Sequence, residues 1–401
     1  MQQPFATGCD CSYAPRGFCK PADNGRVSRV DAAQFVHDYG TGCSRQCCTW
    51  QPPELYGVCM QPPYCRLTSA TDPPVVANLL AQMTTREKIS QLLVLDYRVG
   101  FYMNGCLNPA AKLCPEFVKM LEGTSTGPDR VDSVGSVLGG SDAFFKLDTP
   151  QTGRLFASVQ ASAKKHRLQI PVLVGIDAIH GNGLMPGTTV FPHNIGLGCA
   201  EDPQIVHETY RATAVEIRAQ GVHWDFAPAL SVAQDVRWGR TYESFGPDAN
   251  LVGDRGSRAI RALQQSGDTP VAACAKHLAA DGGTDGGTDR GNAILTGEEL
   301  LRVHLSPYRT AVQAGVLTVM ASYSSINGLK CHENHWLLTD FLKGDLKFQG
   351  FVVSDWAALD CLSGVRGQQL ITALNAGVVC ATEFEPGSGT HRAEPTPGLS
   401  H

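Results

Sequence analysis

No window of this 401-residue chain carries the run of about 18 or more apolar residues that a membrane-spanning helix needs. Its opening stretch, MQQPFATGCDCSYAPRGFCK, lacks the basic-then-apolar order of a secretory signal. Charge is sparse and nearly balanced: Lys+Arg 33 against Asp+Glu 38 gives −5, which offers no electrostatic footprint for nucleic acid or a membrane surface. N-x-S/T sequons are absent. The glycine patterns that cradle phosphates are missing too. GNGLMPG follows an apolar run but contains Pro186 and leads into no helical pattern. DGGTDGGTDRG has the wrong spacing, and neither carries a P-loop lysine. With 43% hydrophobic and 18% charged residues, the chain has the composition of a soluble globular protein, long enough for one large domain or two ordinary ones.

Cysteine, by contrast, is plentiful and unevenly placed. Eight of the 15 (Cys9, Cys11, Cys19, Cys43, Cys47, Cys48, Cys59 and Cys65) fall near the start, among Pro and Gly. An even count in a short, loop-rich segment reads as a disulfide framework and points to an extracellular or secretory compartment, against which the missing signal pattern stands. Zinc is the rival reading, but no CxxC…CxxC spacing is present and adjacent Cys47 and Cys48 suit one tetrahedral ion poorly.

After TSATDPP the texture changes, so residues 1–68 are expected to form a Cys-rich segment and 69–380 the main domain. VVANLLAQMTTREKISQLLVL has helical spacing, broken at Thr84-Thr85, where a second helix is expected to be capped. Short apolar runs then alternate with longer amphipathic ones. The spacing predicts strands within 134–139, 171–177, 222–228, 271–277, 316–323 and 350–355. Helices are predicted over DPQIVHETYRATAVEIRAQG and TGEELLRVHLSPYRTAVQAG, each ending in Gly. Such alternation with near-continuous apolar strands implies an α/β fold, a parallel sheet covered by helices that is either open or closed into a barrel. Polar residues end strand after strand (Asp177, Lys276-His277, Tyr323, Asp355), the place where both architectures gather function. Without a dinucleotide fingerprint, a TIM-type (β/α)8 barrel is the expectation.

The chemistry-bearing stretches admit two readings each. Lys276-His277 could hold sugar hydroxyls, phosphate or a carboxylate, or form a salt bridge beside a satisfied core histidine. The following loop, with Asp281, Asp285 and Asp289, fits either a cation-binding loop or a flexible turn. DVRWGRTYESFG sets Arg237, Arg240 and Glu243 among Trp238, Tyr242 and Phe245, which suits sugar recognition or a buried ion-pair network.

Taken in order, GIDAIHG, TVFPHNIGLG, DVRWGRTYESFG, VAACAKHLAADGGT, TVMASYSSINGLK and LKFQGFVVSDWAALD closely resemble the N-terminal barrel domain of glycoside hydrolase family 3, in particular the plant-type β-glucosidases and exo-β-glucanases. The resemblance runs from about Leu80 to about Val378. It implies hydrolysis of terminal non-reducing β-D-glucosyl residues by a retaining double displacement, without a cofactor or metal. The implied partners are β-linked glucose-containing oligo- or polysaccharides. By that resemblance Asp355 is the nucleophile and Asp177 holds the outer hydroxyls of the sugar. Arg240, Lys276 and His277 ring the same sugar, Met320 and Tyr323 lie near the nucleophile, and Trp356 forms a wall for the next sugar. These roles agree with physics, since nearby cations keep a nucleophilic carboxylate ionised and a fixed carboxylate stabilises an oxocarbenium-like transition state.

Retention also needs a second carboxyl group about 5–5.5 Å away as acid and base. In the plant-type relatives it is a Glu on a following α/β sandwich, for which the stretch before His401 leaves no room. VCATEFEPGSGTHRAEPTPGLSH lacks periodicity, so 381–401 are expected to be a divergent disordered tail and the barrel incomplete at that end. The loop histidine of single-domain β-N-acetylglucosaminidase relatives is absent from Ala280 to Thr284. Glu243 and Glu333 are the substitutes considered, and HENH (332–335) is read as a polar loop without zinc. The alternative to a working glycosidase is a non-catalytic carbohydrate-binding protein or an inactive fragment.

Overall fold

The computed structural model describes residues 74–96, 113–126, 131–139, 148–183 and 185–383, with two short strands, Cys47–Thr49 and Val58–Met60, paired antiparallel. The side chains of the cysteine-rich head lie outside the described residues, as do 384–401, so the expected disulfide framework and disordered tail fall there too. No helix among the described residues is long and apolar enough to cross a membrane.

Eight parallel strands form the centre: β1 (Leu93–Asp96), β2 (Ser136–Leu138), β3 (Leu173–Ile176), β4 (Trp224–Asp225), β5 (Ala272–Leu278), β6 (Thr318–Ala321), β7 (Phe351–Val353) and β8 (Ala381–Glu383). Strands β1 to β7 pair in chain order, and β8 returns to β1 through Ala381↔Leu93, Thr382↔Val94 and Glu383↔Leu95. A single bridge, Val353↔Cys380, joins β7 to the start of β8, so the barrel is nearly closed. Strands buried on both faces explain the continuous apolar runs of the sequence. Inside, Trp224, Phe226, Cys274, Met320, Val353, Val94 and Cys380 fill the lumen. Trp224 is fully buried, with Nε1 donating to Thr318 Oγ1 at 2.7 Å and its ring edge-on to Phe226 and Phe351. This satisfied indole plugs the barrel well below its mouth, and burying so large a ring contributes on the order of 2–3 kcal/mol.

Helices cover the outside, among them Thr149–Ala163, Gln204–Ala219, Ala249–Gln264 and Arg366–Ala376. Their starts are set by side chains: Asp148 and Asp248 each accept an N-terminal amide, and Thr84 forms the expected cap as a reciprocal box with Glu87. The helix expected around 296–315 is interrupted. Pro307 lacks an N–H, and the ladder shifts to a five-residue step, Leu305 N–H to Leu300 C=O at 2.9 Å, before Ser306–Gln313 resumes it.

All six expected strands are present, and all but β5 are shorter than their apolar runs. Two of the barrel strands were not expected. Leu93–Asp96 follows directly on the helix Thr85–Gln91, so a four-residue buried strand was read as the end of a helical pattern. Ala381–Glu383 lies beyond the boundary set at 380, because three residues carry no readable period. The open edge expected there is occupied by β8.

Candidate active site

Loops at the C-terminal ends of the strands enclose a pocket of about 300 Å³. Asp177, Arg240, Lys276, His277, Met320, Asp355 and Trp356 all line it. They come from β3, the loop after β4, β5, β6 and β7, so the barrel gathers residues up to 179 positions apart (356 − 177). Tyr323 is not part of the lining. It stands behind it, with Arg290 over its ring at 4.2 Å and His332 edge-on at 6.3 Å. Burial, and then the Asp355 charge, push its phenol well above the ordinary range.

The basic side is a continuous network. Lys276 is buried and its Nζ donates to Asp177 Oδ1 at 2.6 Å. Burial works against its charge, yet Asp177 and Glu243 carry it above the usual lysine value. Arg240 grips Glu243 with a two-pronged contact, Nε to Oε1 at 2.6 Å and Nη2 to Oε2 at 2.8 Å. Burial would raise Glu243, but those hydrogen bonds and the Arg240 charge hold it below the ordinary glutamate range. Arg240 Nη2 also lies 3.1 Å from His277 Nε2, while His277 Nδ1 meets Asp281 Oδ2 at 2.8 Å. Arginine can only donate, so these partners assign the ring proton to Nδ1 and leave Nε2 as an acceptor. Ser231 Oγ donates to the same Asp281 oxygen at 2.7 Å, and His277 and Ser231 keep the buried Asp281 carboxylate low against the upward pull of burial.

Asp355 is held differently. Its backbone N–H donates to His332 Nε2 at 3.1 Å, and its Oδ1 accepts the N–H of Trp356 at 2.7 Å. Oδ2 is buried and has no hydrogen-bond partner, with His277 Nε2 at 3.8 Å. Beside it, Ser354 and Thr382 exchange two hydrogen bonds, Thr382 N–H to Ser354 Oγ at 2.8 Å and Thr382 Oγ1 to Ser354 C=O at 3.1 Å. Trp356 is 38% exposed at the rim. Buried His332 is pushed down to about 3 by loss of hydration and is neutral, as an acceptor at Nε2 must be.

Several of these partners escaped the sequence reading. Asp281, weighed as a cation ligand or turn residue, is the orienter of His277, and Asp285 and Asp289 are exposed beyond it. Glu243, weighed as an acid/base, is committed to Arg240. Glu333 accepts the Lys330 N–H of its own turn at 3.4 Å. Of the HENH loop, His332 supports Asp355 and His335 pairs with Asp340 at 3.3 Å. Thr382 lines the pocket from β8, past the expected end of the barrel. An acidic residue shortly after Arg240 and another shortly after His277 were visible in the sequence. Their pairings were not, since these depend on loop closure.

Comparison with known proteins agrees with this geometry. The family model "Glycosyl hydrolase family 3 N terminal domain" matches residues 84–382. A lysosomal beta glucosidase of Dictyostelium discoideum is 28% identical over 330 residues, covering 76% of this chain and 38% of its own. A periplasmic beta-glucosidase of Salmonella typhimurium is 30% identical over 301 residues, 73% of this chain and 34% of its own. Among solved structures, an exo-1,3/1,4-beta-glucanase from a Pseudoalteromonas species superposes with a TM-score of 0.67 at 36% identity, over 77% of this chain and 38% of that one. The chain thus spans little more than a third of the length of the curated relatives it matches.

Proposed function

The chain belongs to glycosyl hydrolase family 3 through its N-terminal domain, and from that premise we propose that it removes terminal non-reducing β-D-glucosyl residues from β-glucans, oligosaccharides or β-glucosides with retention of configuration. The observation that carries the reading is the Asp355 carboxylate, with one oxygen fixed by Trp356 N–H and the other buried, unpartnered and beside the pocket. A carboxylate oxygen left unpaired at a real desolvation cost is poised for a partner that arrives with substrate.

In this reading Asp355 Oδ2 attacks the anomeric carbon as the bond to the leaving oxygen breaks, giving a glycosyl ester. Water then attacks the same carbon, giving its proton to the second carboxyl group acting as base or to bulk water, and releases glucose and the free carboxylate. Asp177 and Lys276 take the outer hydroxyls as acceptor and donor. His277 Nε2 and Arg240, within reach of Asp355, face hydroxyls near the reacting carbon. Trp356 offers a ring face to the next sugar. The proton for a poor leaving group is supplied by a second carboxyl group, and Glu243, held ionised by Arg240, is a poor donor. An activated aryl leaving group needs none.

The test is a 2-deoxy-2-fluoro-β-glucoside with a good aryl leaving group, which slows both steps and traps the ester. One equivalent of label on the peptide carrying Asp355, with aryl β-glucoside turnover reduced by about 10⁴-fold or more in Asp355→Ala, is expected. Label on another carboxylate removes Asp355 from the role. Wild type releasing no more aglycone than Asp355→Ala removes the activity.

A further inference from the structure

Asp225 ends β4 and is 0% exposed, directly beneath the mouth and next to Phe226, which lines the pocket. Its Oδ1 accepts the N–H of Ala178 at 2.9 Å, while Oδ2 has no hydrogen-bond partner. That N–H belongs to the peptide joining Asp177 to Ala178, from which the Asp177 side chain projects. Ala178 is itself fully buried, so without Asp225 its amide loses an acceptor where water does not reach. Asp177 is therefore held at two points: its carboxylate by Lys276 Nζ at 2.6 Å, and its peptide by a side chain from the adjacent strand.

We propose that Asp225 is a positioning residue of the sugar subsite, clamping the Asp177–Ala178 peptide so that the Asp177 carboxylate faces both Lys276 and the outer hydroxyls of the sugar. This rests on the reading of Asp177 as a sugar-binding carboxylate. The clamp requires an acceptor oxygen and no negative charge. Burial favours the uncharged acid here, and the cation acting on Asp225, Lys276, is already engaged by Asp177. Asparagine keeps the acceptor and the shape. Valine and leucine remove the acceptor while filling the space, which leaves the buried Ala178 N–H unpaired but strands no charge.

Asp225→Asn, Asp225→Val and Asp225→Leu are compared with wild type in the full chain, the two apolar variants in parallel so that one misfolded protein does not decide. Hydrogen exchange of the segment containing Ala178 needs no activity: it is expected to be slow in wild type and Asp225→Asn, and at least about tenfold faster in a folded apolar variant. On an aryl β-glucoside the apolar variant is expected to raise KM about tenfold with kcat within about threefold, and Asp225→Asn to restore both to within about twofold. On an Asp177→Asn background the apolar change should add less than about twofold to KM, because the clamp acts through Asp177. A wild-type KM in the apolar variant, an Asn variant as impaired as the apolar one, or effects that multiply on the Asp177→Asn background overturns the proposal. If wild type shows no turnover, the hydrolase reading fails by itself. Glucose affinity by calorimetry then decides the clamp, about tenfold weaker binding in the apolar variant supporting it and unchanged binding overturning it.

Discussion

The two sides of the barrel mouth treat their carboxylates in opposite ways. Around β3 to β5, Asp177, Glu243 and Asp281 each have a cation or a histidine within 2.8 Å. Around β6 to β8, Asp355 has two backbone contacts and a bare oxygen, with the His277 ring at 3.8 Å. On the first side these three carboxylates are tied to a cation or a histidine before any ligand comes, and the buried oxygens left bare there, Asp281 Oδ1 and Asp225 Oδ2, belong to residues outside the pocket lining. The second keeps an unmet acceptor, which stabilises nothing in the free protein and gains most when positive charge develops beside it.

That contrast can be broken from the satisfied side. Lys276→Met removes the cation that Asp177 and Glu243 share and leaves the Asp177 carboxylate without its partner. KM for an aryl β-glucoside is expected to rise roughly 10- to 100-fold, since removing one member of a buried pair costs about 3–5 kcal/mol and half-exposed Asp177 recovers part of this from water. A KM within twofold of wild type would show that the pair has no part in binding.

A second prediction concerns the support under Asp355. His332 is neutral in the fold, pushed down to about 3, whereas an unfolded histidine titrates near its ordinary value of about 6.5. As pH falls through that ordinary value the unfolded chain takes up a proton that the folded chain refuses until about pH 3. The stability contributed by this depressed group is thus fully present above about pH 6.5 and declines below it, at about 1 kcal/mol per pH unit. His304, pushed down to about 4 by burial, adds to the same trend. Urea midpoints measured from pH 7 to pH 4.5 should fall in wild type and fall less steeply in His332→Gln. Parallel slopes would mean that His332 carries its proton in the fold.

The smallest effect is expected at the rim. Trp356→Ala removes a ring face that is 38% exposed, so thermal stability should stay within about a degree. Affinity for a β-linked glucose oligosaccharide should drop by about 0.5–1.5 kcal/mol, roughly a 2- to 13-fold change, while an aryl monoglucoside with a small leaving group is less affected. Equal losses on both substrates would place Trp356 at the first sugar and not the next.

How much of this was legible in the sequence follows from how far each feature depends on local order. Strands β2 to β7 announce themselves because a buried parallel strand sits in a largely apolar run with polar residues gathered at its end, set off from the amphipathic helical segments around it. Strand β1 fails that test, since LVLD directly extends a helical run. Strand β8 fails because Ala-Thr-Glu has neither length nor apolarity and gains its structure from Leu93, Val94 and Leu95, far away in sequence. At the pocket, the residues that end the strands stand out as candidates because the motifs carry them, and all of them but Tyr323 line it. Their partners do not stand out. Glu243, Asp281, His332 and Asp225 are ordinary polar residues in one dimension and become specific only when two loops meet.

The β1–β8 pairing joins residues 381 − 93 = 288 positions apart, and that separation has a kinetic meaning. Contacts of such sequence separation are entropically costly to form early, so this seam is expected to close late in folding. Thr382 sits on the seam, lines the pocket and grips Ser354, the residue before Asp355. Closing the barrel and completing the pocket are therefore one event. A nascent or partly unfolded chain lacking that last strand has no completed pocket around Asp355, the proposed nucleophile, and recovery of activity on refolding should lag behind recovery of helical signal.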